Sequence, residues 1–249
     1  MYHFGIGANK EPRPEASNSA VRRDCGVHQV DVRRELILEA ARGLFVRNGL
    51  EQTTMRQIAS ESGITAVTLY RYFPDRHPIA IEVAARMVKR IFDVAGAAAH
   101  ESLEASERHE HNDYRDVFCR FCLAMVDRYY ELRDAYRYIG HFDHLYTGTY
   151  TSRELATLYR RRLREAVKEM PGLDLKHAAP EMEADRERMV TLTNVIMSYM
   201  QKMAARGALM GREQRVPLKV QLCHFRTYVG SILTSEFGWE PAREHGEAT

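Results

Sequence analysis

The chain has 249 residues, a formal net charge of +2 and 45% apolar residues. This composition is typical of globular proteins and excludes a wholly disordered or collagen-like chain. No stretch approaches the roughly 18 uncharged apolar residues that a membrane-spanning helix needs, and residues 1–14 lack the apolar segment of a secretory signal. Four cysteines in a chain of this length do not indicate a disulfide framework. We therefore expect a cytoplasmic protein with reduced thiols and no membrane contact.

Positive charge is concentrated in the N-terminal third of the chain. Residues 1–90 carry 14 Lys and Arg against 10 Asp and Glu, whereas residues 91–249 carry 22 against 24. A basic excess indicates nucleic-acid binding only when it collects on one face of the molecule. Whether this basic excess indicates nucleic-acid binding therefore depends on where the basic residues lie on the predicted helices.

The first thirty residues predict a flexible N-terminal tail. Residues 1–30 mix prolines, glycines and polar residues and show no hydrophobic period. From Val32 onward the pattern changes, because apolar residues recur at the three- and four-residue spacing of a helix. Gly49 ends this pattern, as a glycine after the last helical turn does. The apolar stripe of this first helix consists of Ile37, Ala40, Ala41, Leu44 and Phe45.

Two short helices follow the first one. Thr53 or Thr54 can cap the start of the second helix, which ends at Gly63. Thr65 can cap the third helix, and Pro74 stops it. Two short helices joined through a glycine have the proportions of a helix-turn-helix. Their apolar positions are Met55, Ile58, Ala59, Val67, Leu69, Tyr70 and Phe73.

The rest of the chain is predicted to be helical. Asp75 can cap a long helix that carries Pro78 in its first turn, and no further proline occurs until Pro171. Two more helices are predicted at about residues 186–208 and 217–237. Alternating apolar runs bounded by hairpin turns are absent, so the sequence predicts an all-α fold. The apolar faces of the last two helices consist of Val190, Thr193, Met197, Met200 and Ala204, and of Val220, His224, Tyr228 and Leu233.

These elements divide the chain into two helical domains between two tails. The helix-turn-helix domain is predicted at residues 31–77, and a larger helical domain at residues 78–240. Residues 1–30 and 241–249 are predicted to be flexible. The larger domain carries no internal repeat.

The third helix has the side chains that a DNA recognition helix requires. The major groove is about 12 Å wide, so outward residues must be short enough to approach base edges or long enough to reach phosphates. Ala66, Val67 and the methyl group of Thr68 suit thymine methyl groups, while Tyr70 suits a phosphate or a base. Arg56, on the preceding helix, can reach a phosphate or a guanine edge. The outward residues of the third helix are Thr65, Ala66, Val67, Thr68, Tyr70, Arg71 and Tyr72.

Residues 33–90 resemble the DNA-binding domain of the TetR family of transcriptional regulators. The first helix ends in the pattern F-x-x-x-G at Phe45 and Gly49. The second helix carries T-x-x-x-I-A from Thr54, and the third carries G-I-T-x-x-T-L-Y-x-Y-F from Gly63. Several positions agree at once, so the resemblance is specific.

The resemblance implies roles for individual residues. Thr54 and Tyr70 would contact phosphates, and Phe73 would lie in the core. Arg76 occupies the position where the family usually has a phosphate-gripping lysine, while His77 and Pro78 stand where acidic residues are common. Base or phosphate contacts are implied for Arg56, Thr65, Ala66, Thr68 and Tyr72. The complete predicted DNA-binding set is Thr54, Arg56, Thr65, Ala66, Val67, Thr68, Tyr70, Arg71, Tyr72 and Arg76.

The resemblance also implies a function and an assembly. Members of this family are homodimeric regulators, most often repressors, that release a palindromic operator on binding a small-molecule effector. The second domain would hold the effector pocket, and its last two helices would pair in a four-helix dimer bundle. The expected partners are therefore duplex DNA, an effector of unknown identity and a second copy of the chain. No cofactor and no enzymatic activity are expected.

Other residue groups leave a second interpretation open, that of a soluble helical metal-binding protein or enzyme whose N-terminal helices do not bind DNA. Cys119 and Cys122 stand three residues apart, but their neighbours are apolar and no second pair follows, which favours buried thiols. Nucleotide-binding and hydrolase fingerprints are absent. Arginines at 160, 161, 162 and 164 form a run that is typical of a solvated helix face. Candidate metal ligands by residue type are His109, Glu110, His111 and Asp113, and His141, Asp143 and His144.

Aromatic residues are dense between residues 129 and 150. Most of them suit a core, but a helical cavity that they line would suit a flat, apolar ligand with a few polar anchors. The candidate effector contacts are Tyr129, Tyr138, Phe142 and Tyr146.

Overall fold

The computed structural model describes residues 17–104, 114–148, 157, 161, 180–209 and 216–239. Within these ranges the chain forms helices and no strand, which confirms the all-α prediction. None of the described helices is long and apolar enough to cross a membrane. The helices are α1 (Ser17–Asn48), α2 (Met55–Glu61), α3 (Ala66–Tyr72), α4 (Arg76–Glu104), α5 (Tyr114–Asp127), α6 (Tyr129–Gly148), α7 (Pro180–Leu209) and α8 (Leu218–Phe237).

The first helix begins earlier than the sequence predicted. Because α1 starts at Ser17, the prediction of an unstructured tail over residues 1–30 is wrong from residue 17 onward. No proline interrupts the chain between Ser17 and Asn48, and every residue added to an existing helix gains one hydrogen bond. α1 therefore extends toward the N-terminus from its C-terminal half, which packs against the core through residues 37–45. Residues 1–16 and the predicted tail at 241–249 lie outside the described ranges.

The first three helices pack around one small core. α1 ends at Asn48, and Gly49 follows it with a positive φ of 86°, as the sequence predicted. Val67 and Tyr70, apolar residues of α3 that the sequence also predicted to face outward, are exposed. The buried side chains of this unit are Ile37, Leu38, Ala41, Leu44, Phe45, Ile58, Ala59, Leu69 and Phe73.

The long helix α4 joins this unit to the rest of the molecule. Asp75 caps it as predicted, because the backbone N–H of His77 donates to Asp75 Oδ1 at 2.7 Å. Pro78 lies in the first turn, where its missing N–H is harmless. α4 packs against α1 near its start and against α5 and α6 along its length. The two parts of the chain therefore share a continuous hydrophobic core.

The second part consists of α5 to α8. α5 and α6 are separated by the single residue Arg128, where neither glycine nor proline marks a break. The helix predicted at residues 186–208 starts earlier, at Pro180, and the one predicted at 217–237 spans Leu218–Phe237. α6 packs on α7, and α8 packs on α5.

A buried carboxylate joins the ends of three helices in this part. Asp185 on α7 is 1% exposed and accepts hydrogen bonds from the Tyr114 hydroxyl and from Arg115 Nε, both at 2.8 Å. Its other oxygen is paired with Arg188. Arg188 also donates to the backbone carbonyl of Glu236 on α8 at 3.1 Å. Asp185 thus ties the start of α5 and the end of α8 to α7.

The environment of Asp185 predicts a pH-dependent stability. Burial raises the pKa of its carboxyl, but hydrogen bonds from Tyr114 and Arg115 and the charges of Arg115 and Arg188 outweigh burial, so the pKa lies below its ordinary value. A carboxylate whose pKa is lowered by folding stabilises the protein above its unfolded pKa and loses that contribution as the pH falls. We expect D185N to lower the free energy of unfolding by about 2 kcal/mol at neutral pH. This difference should shrink below about pH 4.

Chemical denaturation of wild type and D185N at neutral and acidic pH measures both effects. The control is E187Q, which removes an exposed carboxylate from the same helix and should change stability by less than about 0.5 kcal/mol. Equal destabilisation of D185N at both pH values would contradict the role given to the charge of Asp185.

Candidate nucleic-acid interface

The start of α2 is fixed by a reciprocal cap. The N–H of Gln57 donates to Thr54 Oγ1 at 3.3 Å, and the N–H of Thr54 donates to Gln57 Oε1 at 2.8 Å. This capping box satisfies two backbone donors that the helix leaves unpaired. Of the two threonines that the sequence allowed as caps, Thr54 takes the role, while Thr53 is buried and donates to the carbonyl of Gly49 at 2.8 Å.

A tight turn at Gly63 links α2 to α3. Gly63 has a φ of +69°, a conformation that L residues with a side chain rarely adopt. The N–H of Ile64 donates to Ala59 at 3.0 Å and that of Gly63 donates to Ser60 at 3.2 Å, which is the Schellman pattern of a helix end. Only four residues therefore separate the end of α2 from the start of α3, which packs against α2.

α3 is anchored by one face and exposed on the other. Leu69 is fully buried, and Phe73, directly after the helix, is 1% exposed, as predicted for a core residue. Tyr70 and Arg71 follow Val67 by one helical turn, and all three lie on the opposite face and are exposed. Burial of Leu69 and Phe73 therefore fixes which side chains of α3 point outward.

The structure separates the predicted DNA-binding residues into two groups. Ala66 and Tyr72 pack partly against the core, and Thr68 and Arg76 are also half-buried. The remaining residues lie on the surface of α2, α3 and the turn before α3. These exposed residues are Thr54, Arg56, Thr65, Val67, Tyr70 and Arg71.

Arg76 has a structural contact that the sequence did not indicate. Its Nη1 donates to the carbonyls of Glu51 at 2.6 Å, Thr53 at 3.3 Å and Leu50 at 3.4 Å. These bonds hold the loop between α1 and α2 against the start of α4. A phosphate contact by Arg76 stays a prediction, and it would use the guanidinium nitrogens that do not bind this loop.

Two further arginines brace the domain. Arg34 on α1 pairs with the buried Glu82 on α4, and its guanidinium lies 4.4 Å from the centre of the Phe73 ring. Arg47 on α1 binds Glu61 on α2 at 2.7 Å. Sequence reasoning missed both contacts, because the partners lie far apart in the chain and no motif joins them.

Three of the four predicted effector residues form an aromatic ladder on α6. Tyr138, Phe142 and Tyr146 lie four residues apart, with centroid distances of 6.3 Å and 4.3 Å between successive rings. Tyr138 and Phe142 are buried and Tyr146 is half-buried. The fourth, Tyr129, lies apart, with a buried hydroxyl that has no hydrogen-bond partner among the described residues. Effector binding by these residues stays a prediction.

The aromatic ladder contacts the helix-turn-helix part directly. The Tyr138 hydroxyl donates to the carbonyl of Ala80 at 3.0 Å, and its ring stacks on Phe45 at 6.0 Å. Tyr146 Oη lies 2.7 Å from Nδ1 of His77, in the first turn of α4. α6 is therefore in contact with both α1 and the start of α4.

The residues of the metal-binding interpretation are not brought together in the described ranges. There, no group of three or more His, Cys, Asp or Glu is placed to hold a metal ion. The cluster at residues 109–113 lies outside these ranges, as do Arg160, Arg162 and Arg164. Cys119 and Cys122 are buried and reduced. Burial raises the pKa of the Cys122 thiol well above its ordinary value, and Cys119 adds to the effect.

Comparison with known proteins agrees with this geometry. Residues 37–83, from α1 to the first part of α4, match the family described as bacterial regulatory proteins, tetR family. This N-terminal segment is thus similar to the DNA-binding segment of the TetR family. The chain is also 37% identical over 59 residues to the HTH-type transcriptional repressor KstR of Rhodococcus jostii (strain RHA1). That match covers 24% of this chain and 28% of the length of KstR.

Solved structures share the fold of this chain over most of its length. A TetR-family transcriptional regulator from Rhodococcus sp. is similar with a TM-score of 0.50 and 17% identity, over 81% of this chain and 98% of the other. A TetR-family regulator from Shewanella sp. PV-4 has a TM-score of 0.50 and 16% identity, over 82% and 97%. At such low identity these likenesses show the fold alone.

The turn at Gly63 predicts a specific effect of substitution. A Cβ at this position would meet nothing within 4 Å, so the cost of a side chain comes from the positive φ alone. We expect G63A to lower the free energy of unfolding by about 1–2 kcal/mol, and G63N to lower it by less, because asparagine adopts this conformation more readily. Thermal or chemical unfolding of the three proteins measures the difference. Equal stability of wild type and G63A would contradict the strained backbone.

Proposed function

We propose that this chain is a TetR-family DNA-binding transcriptional regulator that uses α3 as its recognition helix. The observation that carries the proposal is the orientation of α3. Its apolar face is buried through Leu69, while Val67, Tyr70 and Arg71 stand on the surface. A helix held in this way can enter the major groove with its outward residues facing base edges and phosphates. We assign this role to the predicted domain at residues 31–77.

The charges around α3 support the proposal. Arg56 and Arg71 are exposed, and neither has an ion-pair partner among the described residues. Arginines of this kind can neutralise phosphates, which is the main source of affinity for duplex DNA. By contrast, Arg34, Arg47 and Arg86 are paired with glutamates within the protein.

We further propose that two copies of the chain assemble through α7 and α8. Val195 on α7 and Tyr228 on α8 are 46% and 58% exposed, and Val190 and Val220 are exposed on the same helices. By contrast, Met200, Ala204 and Leu233, on the predicted apolar faces, are buried within the chain. Exposed apolar side chains on two long neighbouring helices suit a symmetric interface, in which the same surface serves both copies. Two copies would place two α3 helices on a palindromic operator.

We propose that a small-molecule effector releases the operator. The support is the contact of α6 with both α1 and the start of α4, made by Tyr138 and Tyr146. A ligand that binds within the domain at residues 78–240 and shifts α6 would displace α1 and the start of α4, and α1 is linked to α3 through α2. Release requires that the effector bind the non-binding conformation more tightly, by about 1–3 kcal/mol in typical cases. Native mass spectrometry of the purified protein is the measurement that identifies a bound molecule.

DNA binding is tested with duplexes selected from a random pool. We expect wild type to enrich a palindromic sequence and to bind it less tightly as salt rises. R71A should weaken binding and reduce the salt dependence by about one ion per protomer. R133A, which removes an exposed arginine of α6, is the control and should bind like wild type. A wild-type protein that enriches no sequence would contradict the proposed function.

The interface at α7 and α8 is tested by adding a charge to it. We expect Y228D to be monomeric in light scattering, because symmetry buries the new aspartate twice in an interface that offers it no paired charge. Its affinity for the operator should fall by about tenfold or more, since both half-sites no longer bind together. The control is Y130D, at a tyrosine of α6 that is 61% exposed. A dimeric Y228D would show that the copies meet elsewhere.

A further inference from the structure

Val67 is the large apolar side chain that the described part of the molecule leaves most exposed. It is 75% exposed, in the first turn of α3. A side chain so exposed contributes little to the hydrophobic core, and its contact with water is unfavourable. A single exposed valine does not by itself indicate a function. The exposure of Val67 does indicate one, because this residue lies on the outward face of the proposed recognition helix.

The hydroxyl groups beside Val67 are engaged within the helix. Thr65 Oγ1 accepts from the N–H of Thr68 at 3.2 Å, as the cap of α3. The two hydroxyl oxygens of Thr65 and Thr68 are 2.9 Å apart and bonded to each other. Both threonines therefore use their hydroxyl groups to start the helix. The groups that point outward from this part of α3 are Val67, Tyr70 and Arg71.

The position of Val67 is rigidly set. Leu69, two residues further on, is fully buried, and Phe73 anchors the end of the helix. A β-branched side chain in a helix has one strongly preferred χ1 rotamer. Val67 therefore presents its methyl groups in a fixed direction, and binding would cost it little conformational entropy.

The chemistry of valine limits what it can distinguish. Its side chain has no hydrogen-bond donor or acceptor, and the C5-methyl of thymine is the apolar group that bases present in the major groove. We propose that Val67 is a specificity-determining residue that recognises one thymine in each half-site through this methyl group. The proposal rests on the proposed DNA-binding function and adds a base preference to it. It assigns phosphate and other base contacts to the neighbouring side chains.

The experiment removes the methyl group from the DNA and from the protein in turn. Each thymine of the selected operator is replaced by deoxyuridine, which lacks only the C5-methyl, and affinity is measured for wild type and V67A. We expect one thymine per half-site at which the replacement weakens wild-type binding about fourfold. V67A should bind the unmodified operator more weakly and lose most of the sensitivity at that thymine. Sensitivity at other thymines should be the same in both proteins.

Two controls separate methyl recognition from a general loss of affinity. V216A shortens an exposed valine outside α3 and should show the full wild-type response to deoxyuridine. A 5-methylcytosine·guanine pair at the sensitive position should bind wild type better than a cytosine·guanine pair, and V67A should not distinguish the two. V67T, which also loses one methyl group, should be less sensitive than wild type to deoxyuridine replacement. It is used in place of V67A if V67A binds the operator too weakly to measure.

The outcomes distinguish this inference from the proposed function. Suppose that wild type selects an operator but that no thymine is sensitive to deoxyuridine, or that V67A and wild type are equally sensitive. Val67 then does not recognise a thymine, whereas the proposed DNA-binding function is unaffected. If wild type selects no DNA sequence, the proposed function fails and this inference fails with it.

Discussion

The candidate interface depends on the turn at Gly63. Its positive φ lets α2 end and α3 begin within four residues, so that Leu69 can enter the core formed by α1 and α2. Burial of that face determines that Val67, Tyr70 and Arg71 point away from the protein. If the turn were longer or looser, α3 would lose this fixed orientation, and the same residues would not form a surface.

A second constraint joins the proposed DNA-binding unit to the remaining helices. α4 is continuous between them, and the aromatic ladder on α6 packs against its start. Close-packed side chains transmit a displacement because the interior has little free space. Two of the four residues that the sequence predicted as effector contacts, Tyr138 and Tyr146, form contacts between the two parts in the structure. Such a location suits the proposed coupling between the two parts.

Much of the helix-turn-helix was predictable because its signals are local. Capping threonines, positive-φ glycines and a three- to four-residue apolar spacing act over a few residues, and Thr65, Gly49 and Gly63 take the predicted roles. The contacts of Arg34 and Arg76 were not predictable, because their partners come together only when the chain folds. The break at Arg128 was missed for the same reason, since no glycine or proline marks it.

The sequence by itself determined the all-α fold, the order of the N-terminal helices and the set of residues around α3. Periodicity and capping state which residues can form a helix and which of them are apolar. Only the tertiary structure decided which of the residues predicted to face outward from α3 are half-buried, that the hydroxyl groups of Thr65 and Thr68 bind each other, and that Val67 is 75% exposed. These outcomes depend on packing between helices that are distant in the chain. A local pattern contains no information about where such a neighbour will lie.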